Sequence, residues 1–287
     1  IARNDGAMAY RESLQARQQA VARSISTQVL GGQALDVVWN LTLVGNIISA
    51  NVPYGKLEAI SQVEGVQSVS LERQYAPAEA SRGDEGVQPQ MYTSAGMIGS
   101  DAAWLEGYTG AGTRIAVIDT GTDTDHQSFQ AEAFHHALEE NAKEAGMSYA
   151  DYAAKLDLLD EEEIDSLLEK LHIHEKSPQL TGKDLYLNEK LALGYNYVDS
   201  SLEITHDHDT QGEHGSHVAG IATSNAYISN GDGTFSTALD SVLVQGVAPD
   251  AQLLVMKVFG QNGGAYDSDY MVAIEDAMVL GADAANL

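Results

Sequence analysis

The feature that most limits how this chain can fold is a pair of short apolar runs, each bounded by turn residues. Residues 114–118 (RIAVI) lead into Asp119-Thr120-Gly121, and residues 252–258 (QLLVMKV) follow a Gly-Val-Ala-Pro-Asp turn. Runs of this length without polar alternation suit strands buried on both faces, as in a parallel sheet covered by helices. Helical stretches lie between and after them. Residues 131–193 are acidic and largely helical, with Leu156, Leu159, Ile164, Leu167, Leu168 and Leu171 at amphipathic spacing. Residues 214–224 (HGSHVAGIATS) predict a small-residue helix fitted to close packing. Residues 268–280 predict another, with Ser268 as N-cap and Tyr270, Ile274 and Met278 turned inward. Residues 282–287 begin a further strand and the chain stops inside it, as expected of a fragment of a larger domain. Strands alternating with helices predict an α/β fold with a doubly wound, mostly parallel sheet.

The first part reads differently. Residues 7–30 predict a helix closed by Gly31-Gly32, residues 35–44 and 46–52 two strands, residues 54–63 a short helix, and residues 65–73 a third strand. Together these make residues 1–75 a small α+β unit with an antiparallel sheet. Residues 76–97 hold proline and glycine without an apolar period and read as a linker. Residues 98–287 form the larger unit, with residues 131–193 as an acidic helical insertion in it; the run DEEEID at 160–165 reads as a helix start, its acids near the positive end of the dipole. Charge divides the chain near the same place. The net charge is −27, yet residues 1–90 carry only seven Lys/Arg against nine Asp/Glu, so the acidity lies almost wholly beyond them.

So acidic a chain repels phosphates and anionic headgroups, which argues against nucleic acid partners and membrane adsorption. No run of about 18 apolar residues occurs, so no direct membrane insertion is expected. The lack of cysteine rules out disulfides, thiolate metal sites and a Cys nucleophile. The chain begins at Ile1, and export is expected to rest on a signal peptide upstream of it.

Two motifs carry chemistry. IAVIDTG at 115–121 sets Asp119 at the C-terminal end of a buried parallel strand, where such sheets place their active sites; the same residue could equally cap a strand end. HGSHVAG at 214–220 opens a helix on His214, where Gly215 lets the backbone pack closely while the imidazole projects; a plain helix start is the alternative. His217 reads as a buried structural histidine on the same side. HDHD at 206–209 reads as a polar loop before His214, with metal ligation as the alternative.

Together and in this order, the motifs resemble the subtilisin family of serine proteases, and lactocepin-like cell-envelope proteinases most of all. The segments GVAPDAQLLVMKVFGQNGG at 246–264 and GADAANL at 281–287, the phrase IEDAM and the long gap of 95 residues from Asp119 to His214 add to the likeness. Residues 45–73 resemble the family's propeptide. The resemblance implies an exported, extracellular or cell-envelope endopeptidase precursor acting on protein or peptide substrates through an Asp-His-Ser triad. Asp119 and His214 would be its first two members. The Ser, expected in a G-T-S motif, does not occur in these 287 residues, so the chain alone is expected to be inactive. Ser216 stands where the family commonly has Thr and keeps the hydroxyl. Gly263, Gly264 and Ala265 would bind the substrate backbone by β-pairing. Residues 1–75 would be the propeptide, an intramolecular inhibitor and folding chaperone, with the maturation cut between 75 and 97. His126 would be structural, under the cleft. Catalysis requires no cofactor; a structural calcium is compatible with the family, although Ser128 replaces the Asp of one such site. Two rival readings stay open: a peptide-binding pseudoprotease, and a metal-dependent hydrolase built on Asp119, residues 206–209 and His214. The absence of H-E-x-x-H weighs against the second.

Overall fold

In the computed structural model, which describes residues 2, 4–76, 91–209 and 212–287, the chain opens with helix α1 (Asp5–Gln28). Asn4 caps it by accepting a hydrogen bond from the Ala7 amide at 3.0 Å, and Gly31 and Gly32, both at positive φ, end it. Its buried face is Arg11, Leu14, Gln18 and Ile25. The spacing is that of one helical stripe, yet half of the stripe is polar. Strands β1 (Asp36–Leu41) and β2 (Ile47–Asn51) form an antiparallel hairpin with a bulge between Val37 and Trp39. Gln18 explains its own burial by donating to Leu41 O (2.7 Å) and Asn46 Oδ1 (2.9 Å), which ties the hairpin to α1. A 3₁₀ turn (Tyr54–Lys56) leads into α2 (Leu57–Ser61).

The third strand expected over residues 65–73 does not form. Val66 and Val69 pack against Ile25, Ile60 and Val63 instead, and Leu71 is exposed. The alternating pattern is thus met by side chains lying on two helices, without a ladder partner. Pairing begins only at β3 (Gln74–Tyr75), and its partner lies far along the chain.

Residues 91–97, expected in the linker, are helical: α3 (Met91–Ile98) is followed by α4 (Ser100–Leu105), with Gly99 at φ 80° between them. No proline follows Pro89 in this stretch, Ala95 is buried, and the Ser100 hydroxyl donates to its carbonyl. The rest of the expected cleavage segment, residues 77–90, lies outside the described residues.

The larger unit runs β4 (Arg114–Asp119), α5 (Ala131–Glu144), α6 (Tyr149–Ala153), α7 (Glu161–Leu167), α8 (His172–Lys176), α9 (Gly182–Leu185), β5 (Leu191–Asn196), α10 (His214–Thr223), a hairpin of β6 (Tyr227–Ser229) and β7 (Phe235–Thr237), α11 (Ala238–Ser241), β8 (Gln252–Lys257), β9 (Ala265–Tyr266), α12 (Asp267–Val279) and β10 (Ala284–Asn286). Four strands make a parallel sheet in the order β10-β4-β8-β5, the α/β architecture expected. Residues 191–193, placed in the insertion by sequence, belong to the edge strand β5. Alternate residues of β4 explain why its run is apolar throughout. Ala116 and Ile118 join a cluster with Leu254, Met256, Val272 and Ala277, while Val117 faces Leu253, Val255, Phe129 and Ala219 on the other side. The first cluster also contains Ala2, Trp39 and Leu41, so one core runs through the N-terminal unit, α12 and the insertion.

Helix α12 differs from its expected outline. Its N-cap is Tyr266, whose amide donates to Asp269 Oδ2 at 2.9 Å, and Ser268 is buried within the first turn. Tyr270, Ile274 and Met278 are half-buried, and the fully buried positions include Glu275 and Asp276. Among the described residues no helix is long and apolar enough to cross a membrane.

Candidate active site

Asp119 ends β4 at the C-terminal edge of the sheet, in register with Lys257 of β8. His214 opens α10 and brings Nδ1 to 2.9 Å from each carboxylate oxygen of Asp119. A carboxylate only accepts, so Nδ1 carries the proton and Nε2 is the basic nitrogen. The Thr120 amide donates to Asp119 Oδ1 at 2.6 Å and fixes the carboxylate. The two residues that sequence singled out are therefore brought together, with Asp119 buried and the His214 side chain 32% exposed.

The local sequences meet backbone to backbone. A Cβ on Gly215 would lie 2.1 Å from Gly121 O, and one on Gly121, at φ 107°, would lie 2.2 Å from Ile204 O. Only glycine fits either place, which makes D-T-G and H-G one interlocking unit. Side chains complete the joint. Gly215 N donates to Thr120 Oγ1 (3.0 Å), and Asp123 N donates to Ser216 Oγ (2.8 Å). Lys257, buried at the end of β8, donates through Nζ to Thr120 O and to Asp209 Oδ2 at 2.6 Å.

That last bond ties the 206–209 segment to the sheet through its final residue. His206 lies 3.8 Å from Glu213 instead, and no group of three or more His, Asp or Glu among the described residues converges to hold a metal. Ser128, which stands where the resemblance put an Asp ligand, is buried, with its amide on His126 Nδ1 and its carbonyl on the Asn225 amide. His126, expected beneath the cleft, is exposed and caps a 3₁₀ turn (Gln127–Phe129). His217, expected to be buried, is 65% exposed and 3.9 Å from Glu213; one helical turn carries it to solvent. Ser224 is buried, and Ser216 accepts from backbone, so neither stands as a nucleophile.

Of the three residues assigned to the substrate edge, Ala265 lies in β9. That strand pairs antiparallel with β3, with Tyr75 opposite Ala265 and Gln74 opposite Tyr266. Gly264, at φ 88°, faces the Gln74 side chain so closely that a Cβ would sit 2.6 Å from its Nε2. Gly263 stays in the preceding turn, its amide on Gly260 O. The chain's own segment thus lies along this edge. Its neighbours anchor it on α12: Arg73 N and Tyr75 OH donate to Asp267, and Ser268 N donates to Glu72. The Tyr75 ring meets Tyr270 edge to face at 5.8 Å. Burial pushes the Tyr270 hydroxyl up to about 12, and the charge of Asp119 adds to the shift.

Sequence reasoning missed Glu275. Its Oε1 accepts from the Thr42, Leu43 and Val44 amides at 2.7, 2.5 and 3.0 Å, gathering the end of β1 and the turn after it onto α12. The available signal was the adjacent pair Glu275-Asp276 set between the apolar runs 270–274 and 277–280.

The sequence profile of the Subtilase family matches residues 110–287. The chain is 29% identical over 248 residues to the PI-type proteinase of Lactococcus lactis subsp. cremoris, covering 85% of this chain and 10% of the relative. It is 28% identical over 209 residues to the minor extracellular protease Vpr of Bacillus subtilis, covering 71% and 17%. With a C5a peptidase of Streptococcus pyogenes the identity is 32% over 179 residues, covering 62% and 12%. The chain thus spans less than a fifth of the length of each of these relatives.

Proposed function

The chain belongs to the subtilase family of serine proteases, and from that premise we propose that it is the front part of an exported endopeptidase precursor held inactive by its own N-terminal unit. The observation that carries this reading is the Asp119–His214 pair at the C-terminal edge of the parallel sheet. In the whole enzyme, His214 Nε2 takes the proton of a Ser hydroxyl as that oxygen attacks the peptide carbonyl, then delivers it to the leaving amine. Asp119 stays ionised, holds the tautomer and stabilises the imidazolium. The Ser is supplied from beyond residue 287, and no cofactor takes part. Export to the cell surface or beyond is supported by relatives such as the extracellular protease of Bacillus subtilis.

Residues 1–75 are the inhibitor in this reading. Support comes from β3, which covers the β9 edge as an extended substrate would. Cleavage needs extended, accessible backbone and residues 91–98 are helical, so in this reading the maturation cut lies before residue 91. Peptide hydrolysis by the full-length protein, inhibited by a serine-directed phosphonate and lost in His214→Ala, tests the assignment. Hydrolysis by the 287-residue chain alone would overturn it.

A further inference from the structure

Residues 168–176 of the acidic insertion face the N-terminal unit, and the contact is built from buried charge. Arg11 of α1 donates through Nη1 to Lys170 O and through Nε to Thr42 Oγ1 at 3.1 Å, and its Nη2 lies 3.3 Å from His172 Nε2. His172 Nε2 is 2.8 Å from Glu275 Oε2, while the other oxygen of Glu275 holds the Thr42, Leu43 and Val44 amides. The two other carboxylates around the ring are Glu175, 3.2 Å from Nδ1, and Asp276, which accepts the His172 amide at 2.7 Å. Lys170 Nζ donates to Ala2 O at 3.1 Å. Trp39 of β1 completes the seam, edge-on to His172 at 6.1 Å with Lys176 Nζ 4.6 Å above its ring. His172, Glu275, Asp276 and Arg11 are all buried.

We propose that residues 168–176 are a second docking surface for the inhibitory unit, separate from the β9 edge, and that His172 locks it to Glu275. The proposal rests on the reading of residues 1–75 as an inhibitor and extends it: the insertion selects a partner carrying a guanidinium at the Arg11 position and an aromatic ring at the Trp39 position. Charge requires all three segments at once. Without the imidazolium, Glu275 and Asp276 would share a buried layer with Arg11 as its remaining cation, and removing one partner from a buried ionic group costs far more than at a surface. Burial alone favours the neutral ring, but Glu175 and Glu275 overcome it and hold His172 up to about 9.

Amide hydrogen exchange on the intact chain tests this, with wild type beside Arg11→Ala, His172→Gln and the double variant. Each single variant is expected to speed exchange at Thr42, Leu43 and Val44 by about tenfold or more, with β8 amides within about twofold of wild type. The double variant is expected to add little to the larger single effect, because either change opens the same lock. Unchanged exchange at residues 42–44 in Arg11→Ala, or fully additive effects in the double variant, overturns the proposal. If His172→Gln also exposes β8, Arg11→Ala decides alone, since it shortens a side chain outside the unit that carries the parallel sheet. Failure of the inhibitor reading looks different: wild-type residues 42–44 and 74–75 would then exchange as unstructured chain while β8 stays protected.

Discussion

The molecule contains two imidazole–carboxylate contacts of nearly equal length, Asp119–His214 at 2.9 Å and His172–Glu275 at 2.8 Å. Their surroundings make them opposites. His214 sits on a backbone cradle with one nitrogen on its carboxylate and a third of its side chain exposed. His172 has no exposed surface and stands among three carboxylates and a guanidinium. An imidazole that must accept and release a proton needs one open nitrogen and a single orienting partner. One that is wholly buried, with Nε2 on a carboxylate and a second carboxylate near Nδ1, holds a proton and joins segments. Distance alone does not separate the pair proposed to be catalytic from the buried one; burial and the number of partners do.

The strongest way to break this comparison is to remove each ring. In the full-length enzyme His214→Ala is expected to lower kcat by about 10⁴–10⁶-fold, with a stability loss of only about 1–3 kcal/mol from leaving the buried Asp119 carboxylate without its ring partner. Steady-state kinetics beside a urea titration give both values. A variant that instead lost its fold while keeping appreciable turnover would reverse the two roles. Next in size is the cradle. Gly215→Val places carbon where Gly121 O already stands, so α10 must move from β4, at an expected cost of about 3 kcal/mol or more in denaturant titration.

The buried ring makes a pH prediction with a definite sign. The folded chain raises His172 from 6.5 to about 9. Its contribution is then full below pH 6.5 and lost as pH rises through 9, roughly 3 kcal/mol in all. Asp276 acts in the same direction at lower pH, since burial raises its carboxyl from 3.8 to about 6 and its ionisation above that opposes folding. Urea titrations of the chain at about pH 6.5 and 9.5 are expected to show wild type losing stability relative to His172→Gln across that window; the difference isolates the ring, because Lys190, whose ammonium burial lowers to about 7, gains stability with pH in both proteins alike. Equal slopes in the two proteins would mean that the ring is neutral in the fold.

The two regions also differ in how far they could be read from sequence. The cradle was legible because its parts are local: a strand ending in D-T-G, a helix opening with H-G, and glycines where backbones touch. The buried layer joins residues 103 and 233 positions apart, and the Glu275-Asp276 pair and His172 have the composition of a surface. Helical periodicity treats such residues as outward, so the burial of Glu275 and Asp276 on α12 was missed, although Tyr270 and Ile274 do pack against the core. Residues 65–73 failed in the other direction. Their alternation was real, but it described packing on α1 and α2 rather than a ladder. His126 and His217 show a third limit, since neighbouring motifs say little about which side of a turn meets solvent.

The smallest expected effect tests whether the cradle depends on chemistry or on shape. Ser216 Oγ accepts from the Asp123 amide at 2.8 Å and so fastens the segment after the D-T-G turn to α10. Ser216→Ala leaves that amide without its acceptor and is expected to cost about 1 kcal/mol. Ser216→Thr keeps the hydroxyl, and its added methyl lies at a half-buried position, so stability is expected to return to within about 0.5 kcal/mol of wild type. The two variants are separated by the fate of that one oxygen and by one methyl group. If Thr proved as costly as Ala in thermal unfolding, the contact would be limited by space at α10 rather than by the hydrogen bond. The cradle would then resemble the buried layer, where fit among side chains decides, more than a joint made by backbone and a single hydroxyl.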